Sequence, residues 1–157
     1  MKARIDSFSG TGNAERAASI LARELSAALW ELDRRTIGYP SHAAAAHPRM
    51  GGPEIPEDLL VLVCPVYAFM PPVLVKRWIR RLPRGDRGAR RVPAIVLCVD
   101  GGGGGQAPDM ACRMLARRGY RPLASTNVSY TENWTVITPP PSPEAQRKTT
   151  AAGDEAT

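Results

Sequence analysis

The stretch FSGTGNAERAA, Phe8 to Ala18, runs from a cluster of small polar residues straight into an alanine-rich segment. Gly10 and Gly12 permit tight or left-handed turns and leave room close to the backbone. Ser9, Thr11 and Asn13 supply the hydroxyl and amide groups that cap helix N-termini. Successive backbone N–H groups leading into a helix start are also an anion site. The stretch is therefore a cap alone or a cap that also holds a phosphate, and the rest of the chain has to decide. Two other phosphate motifs are excluded. Gly10-x-Gly12 continues to Glu15 where the dinucleotide fingerprint needs glycine, and no Gly-Lys-Ser/Thr follows as in a P-loop.

Working outward, Lys2 to Phe8 reads as a strand. Ala17, Ile20, Leu21, Ala22, Leu25, Ala28, Leu29 and Leu32 recur at helical spacing, which predicts a helix from Asn13 to Leu32. Thr36 to Tyr39 reads as a second strand, and Pro40 to Asp58 as a loop containing HAAAAH and both histidines, His42 and His47. LLVLVC, Leu59 to Cys64, is a continuous apolar run suited to a strand buried on both faces. Pro72 to Leu82 reads as a helix opened by proline, and Val92 to Val99 as another buried strand. Ala107 to Arg118 is a helix with Gly119 at its C-terminal cap. Leu123 to Tyr130 is the fifth strand. The alternation predicts an α/β three-layer sandwich around a parallel sheet. Residues 1–141 form the expected domain, and 142–157 a short C-terminal helix (Pro143 to about Thr150) or a flexible tail. The first strand fits badly, because KARIDSF carries Lys2, Arg4 and Asp6. Either they find partners at the sheet's end or the strand is marginally buried.

With 157 residues, 43% hydrophobic and 23% charged, the chain has the size and composition of one globular domain. No apolar run reaches the roughly 20 residues that span a bilayer. MKARIDSFSG lacks the apolar core of a signal peptide, so a cytoplasmic protein is expected. Cys64, Cys98 and Cys112 have no metal-type spacing and sit in apolar settings, as buried cysteines do. No metal site and no catalytic acid, base or nucleophile is expected, since neither histidine has a convincing partner. The net charge of +6 is uneven: from Lys76 to Arg91, eight basic residues face one acid, leaving the remainder near −1. Only Trp78 interrupts the basic run with an aromatic ring, so a base-stacking nucleic-acid surface is not expected. A solvated helix face or an acidic protein partner accounts for it better.

If the strands are parallel, three loops leave the same edge. SGTGN offers a phosphate cradle, and PVYAFMPP presents Tyr67, Phe69 and Met70 on a proline-stiffened loop able to stack on a planar ligand. The third, DGGGGGQ, has five consecutive glycines, which are costly to order unless backbone must lie against something. Each loop alone has a bland reading; together they are the parts that a flavin mononucleotide (FMN) needs.

Ser9-Gly10-Thr11-Gly12-Asn13-Ala14 resembles the flavodoxin phosphate loop, T/S-x-T-G-x-T. The surrounding FSGTGN, PVYAFMPP, the glycine run and Asn133-Trp134 with its proline-rich sequel are similar to the flavodoxin-like half of flavodoxin–ferredoxin fusion proteins. The resemblance covers about Met1 to Pro141. It implies a five-stranded parallel sheet in the order 2-1-3-4-5 and an FMN site. Ser9, Gly10, Thr11, Gly12, Asn13 and Ala14 would hold the phosphate. Pro65, Val66, Tyr67, Ala68 and Phe69 would flank the isoalloxazine, and Asp100, Gly101, Gly102, Gly103 and Gly104 would meet its edge. Ala14 departs from the motif, where the family has a hydroxyl. No cysteine follows Cys112, so this sequence has no cysteine set for the fusion proteins' iron–sulfur clusters. Flavodoxins are usually acidic, whereas this chain is basic.

The expected function is electron transfer through FMN to or from a redox partner, with an acidic ferredoxin as a candidate docking near Arg77 to Arg91. No nucleic acid and no membrane partner is expected. An NAD(P)H-dependent FMN or quinone reductase, and a cofactor-less interaction module, remain the alternatives.

Overall fold

The computed structural model describes residues 1–38, 58–84, 91–131 and 139–157. The loop with His42 and His47, the end of the expected second strand at Tyr39, Arg87 and Arg90 of the basic run, and Asn133-Trp134 lie outside the described residues. Five parallel strands form one sheet in the order β2-β1-β3-β4-β5: β1 (Lys2–Ser7), β2 (Glu31–Thr36), β3 (Leu59–Pro65), β4 (Pro93–Asp100) and β5 (Arg121–Ser129). The helices are α1 (Asn13–Ala27), α2 (Val73–Arg81), α3 (Ala107–Arg117) and α4 (Pro143–Ala156). The expected sheet and strand order are observed. None of these helices is long and apolar enough to cross a membrane.

The period of two along β3 explains the two cores. Leu60, Leu62 and Cys64 face one way and pack with Ala94, Val96 and Cys98 of β4 beneath α2 and α3. Leu59, Val61 and Val63 face the other way, toward the alanine face of α1 (Ala14, Ala17, Ala18). Small side chains there let α1 lie close to the strands. Cys64 and Cys98 are register partners with sulfurs 3.9 Å apart, and contact with Cys98, followed by burial, pushes the Cys64 thiol well up. They are buried thiols that fill space, as expected.

The polar first strand resolves differently from either expectation. Arg4 and Asp6 project from the same face of β1 and pair with each other, Nε to Oδ2 at 2.5 Å, both almost fully buried. Only Lys2 is at the sheet's mouth, near Glu31.

The first helix is shorter than expected and the second strand lies earlier in the chain. α1 stops at Ala27, where Leu29 N–H donates to the Ser26 carbonyl and Trp30 N–H to that of Leu25. This is a Schellman closure, and Leu29 occupies its left-handed position at φ 62° while 90% exposed. α3 ends in the same motif with Gly119 in that seat. The strand ELDRRT then runs along the sheet's edge, where alternating charges discourage pairing with another chain. A side chain in the left-handed region costs roughly 1–2 kcal/mol. Leu29→Gly is therefore expected to stabilise the protein by about 1 kcal/mol, read as a raised denaturant midpoint with unchanged slope.

α4 extends past the expected Thr150 and packs on β5 and α1. Gly153 lies against the Ser129 carbonyl and the Tyr130 ring, so closely that a methyl group there would meet both. Arg16 grips Asp154 with two bonds of 2.6 Å, and the Tyr130 hydroxyl donates to the same carboxylate. The hydrogen bond from Arg16 lowers the Asp154 pKa below its usual 3.8. That stabilising contribution is present above the ordinary value and is lost as pH falls through the lowered one. Protection of α4 amides against hydrogen exchange should therefore fall in acid before that of β3 does, and Asp154→Asn should abolish that pH dependence.

Candidate functional site

The carboxyl ends of β1, β3 and β4 carry the three loops, and parallel pairing brings them together as expected. The first loop turns at Gly12, whose φ of 101° and ψ of −26° suit glycine alone among common residues. Its N–H donates to Ser9 Oγ at 2.9 Å, which ties the loop into a tight turn. Asn13 begins α1, and the N–H groups of its first turn have no intrahelical acceptor. The Asn13 side-chain amide donates to the Thr131 carbonyl at 3.1 Å, anchoring the loop to the chain beyond β5. Glu15, a first-turn acid that would oppose an anion, is turned aside. It accepts from Ser7 at 3.0 Å and is held by Arg34 at 2.6 Å. Ala14 is buried against the core, so the departure from the motif fills a packing position.

The second loop is a four-residue turn. Tyr67 and Met70 exchange backbone hydrogen bonds of 2.9 and 3.1 Å, and the two residues between them, Ala68 and Phe69, both have positive φ (49° and 63°). This is the type I′ pattern, ordinarily written with Asn-Gly. Two side-chain-bearing residues in left-handed conformation mark a strained segment, of the kind that clusters at ligand sites. The turn presents Tyr67 and Phe69, which are 48% and 67% exposed. Pro65 ends β3, and the Val66 N–H is fixed on the Val99 carbonyl.

The third loop hangs from Asp100. Its Oδ1 accepts the Gly102 N–H at 2.8 Å and the Ser129 hydroxyl at 2.7 Å, so this buried carboxylate braces the glycine run. Gly101, Gly102 and Gly103 are exposed and Gly104 is buried beside Asn127 of β5.

The loops touch one another. The Tyr67 hydroxyl occupies the space a side chain at Gly10 would need. A Cβ at Gly105 would lie 2.6 Å from that of Phe69. Phe8 meets Tyr67 edge-on, ring centres 6.4 Å apart. Glycine in the first and third loops is thus what lets the aromatic turn lie down between them. Phe8, Ser129, Asn127 and Thr131 join this cluster although the sequence does not single them out. Their positions depend on sheet register, which no local motif encodes. Among the described residues, no group of His, Cys, Asp and Glu could hold a metal ion.

The carboxyl edge of the sheet thus gathers a helix N-terminus, two aromatic rings and a glycine-rich backbone in one place. No protein-family model and no curated protein matches the sequence. Solved structures do match its fold. One is the two-electron reduced flavodoxin of Megasphaera elsdenii, with 16% identity, a TM-score of 0.61 and 98% of each chain covered. Another is an NAD(P)H:quinone oxidoreductase from Methanothermobacter marburgensis, with 14% identity, a TM-score of 0.62, and 99% of this chain and 94% of that one covered. A cysteine-to-alanine mutant of Pseudomonas aeruginosa flavodoxin is 20% identical, with a TM-score of 0.56 and 97% of this chain and 98% of that one covered. At these identities the likeness is one of fold: the chain has the flavodoxin-like fold.

Proposed function

We propose that this protein binds FMN at the carboxyl edge of its sheet and passes electrons to or from a partner protein. The observation that carries the proposal is the mutual packing of the three loops, with Tyr67 over Gly10 and Phe69 against Gly103 and Gly105. Backbone N–H groups of Gly10, Thr11, Asn13 and Ala14, with the Ser9 and Thr11 hydroxyls, would hold the phosphate at the positive end of α1, while the Gly12 N–H stays on Ser9 and sets the turn. Because the Asn13 side chain is committed to Thr131, its backbone N–H is the group offered to the ligand. Tyr67 and Phe69 would cover the ring system, with Pro65, Val66 and Ala68 setting their height. Gly101 to Gly104 would meet the ring's edge through backbone groups, and Asp100 would hold that loop in place. When bound, FMN supplies the redox chemistry; the protein orients it and tunes its potential.

The test is retention. The purified chain is mixed with FMN, desalted and examined by absorption. About one equivalent of retained flavin, reversibly bleached by dithionite, is the expected result. Loss of all flavin on desalting, with no spectral shift beforehand, overturns the proposal. The same fold serves the NAD(P)H:quinone oxidoreductase above, so NADPH oxidation with a quinone acceptor is the companion assay. Lack of turnover agrees with an electron shuttle, and sustained turnover makes the protein a reductase.

A further inference from the structure

Between α2 and α3, on the face of the sheet opposite α1 and α4, lies a cleft of about 530 Å³. Lys76 and Arg80 line it from α2, Arg113 and Arg117 from α3, and Arg118 from the C-terminal cap of α3. Among the described residues, no acidic side chain lines it. Lys76 and Arg80 are four residues apart on one helix, as are Arg113 and Arg117 on the other. Like charges at that spacing are each destabilising, and here two such pairs border one opening. None of the five has a carboxylate partner among the described residues. By contrast, Arg16, Arg34, Arg35 and Lys148 each have one. The Arg118 Nε–H is moreover buried with no acceptor among the described residues, a donor whose desolvation is uncompensated. A surface that repels itself, unanswered by any carboxylate among the described residues, is arranged for an anion.

The remaining lining narrows the class of anion. Met70, Met110 and Met114, with Ile79, make the rest of the wall apolar. Methionine adapts its shape to a partner's side chains, whereas a phosphate or nucleotide would leave these groups unused. A groove between two helices, cationic at its rim and thioether-lined within, suits an amphipathic helix laid along it. We infer that this cleft docks an acidic, amphipathic segment of a partner protein. Met70 also closes the Tyr67–Met70 turn, so a docked segment would lie beside the candidate cofactor edge. Docking is measured by binding and stands or falls apart from the flavin proposal.

The probe is a fluorescent synthetic helix of about five turns, glutamate-rich with leucine at i, i+3, i+4 and i+7, titrated into the whole chain. It is expected to bind, with affinity falling as salt rises. Arg113→Gln with Arg117→Gln is expected to weaken it at least about tenfold while raising the melting temperature, because repulsion is relieved. Reversal of Arg23 and Arg147, on the opposite face, should change binding less than about twofold. Met110→Gln with Met114→Gln should weaken the helix but not polyglutamate. Four results would overturn the inference: no binding of the helix; equal binding of polyglutamate or single-stranded DNA; an equal loss on reversing Arg23 and Arg147; or a lowered melting temperature in the double arginine-to-glutamine variant, which would make these arginines structural.

Discussion

Asp6→Ala is expected to lower stability by roughly 3–5 kcal/mol, because removing one member of a buried ion pair is strongly destabilising. Arg4 is inside the sheet at 5% exposure, and the Asp6 carboxylate is 2.5 Å from its Nε. The double replacement Arg4→Met with Asp6→Leu is expected to return stability to the natural level or above, since apolar side chains of similar volume avoid the desolvation of both charges. Burial pushes the Asp6 carboxyl up, with Arg4 pulling it down less strongly. The folded state therefore holds this proton to higher pH than the unfolded chain. Stability falls as pH rises from the ordinary carboxylate range through the raised value. Denaturant unfolding across that window should show this slope in the natural protein and lose it in the double variant.

Gly12→Val is expected to weaken FMN binding about a hundredfold, equivalent to about 2.7 kcal/mol. Nothing lies within 4 Å of where the new Cβ would go, so the effect is one of backbone and not of collision. A branched residue at φ 101° is strained by roughly 1–3 kcal/mol and relieves it by turning the peptide. The turn that Gly12 N–H and Ser9 hold would then open, and the N–H groups proposed to hold the phosphate would move apart. Gly38→Val, at a glycine with similarly open space and no positive φ, serves as the control and should leave flavin affinity unchanged.

How much of this is legible in the sequence varies by element. The runs at β3 and β4 are apolar on both faces, and only a central strand asks for that, so the sequence marks them nearly to the residue. Strand order follows from the resemblance to flavodoxins, and the convergence of the three loops from the alternation of strands and helices. The segment after α1 misleads for two physical reasons. Leucine takes a left-handed position that sequence rules reserve for glycine, and the edge strand ELDRRT is written in charges that continue the helix's pattern. Arg4 and Asp6 look out of place one at a time, yet a strand's side chains two apart share a face, and there the two neutralise each other. The basic segment at Lys76 to Arg91 is visible as a run. Its partners in the cleft, Arg113, Arg117 and Arg118, are distant in sequence and meet it only through the packing of α3 beside α2.

The central claim, that the glycine loop before α1 holds a phosphate and the aromatic turn a flavin ring, is tested most directly by titrating the apoprotein with FMN and with riboflavin while following flavin fluorescence. The loop assignment predicts quenching at one flavin per chain, with FMN bound at least about tenfold more tightly than riboflavin, since only FMN carries the phosphate that this loop and the start of α1 would hold. Equal affinity for both flavins, or no quenching by either, would contradict it.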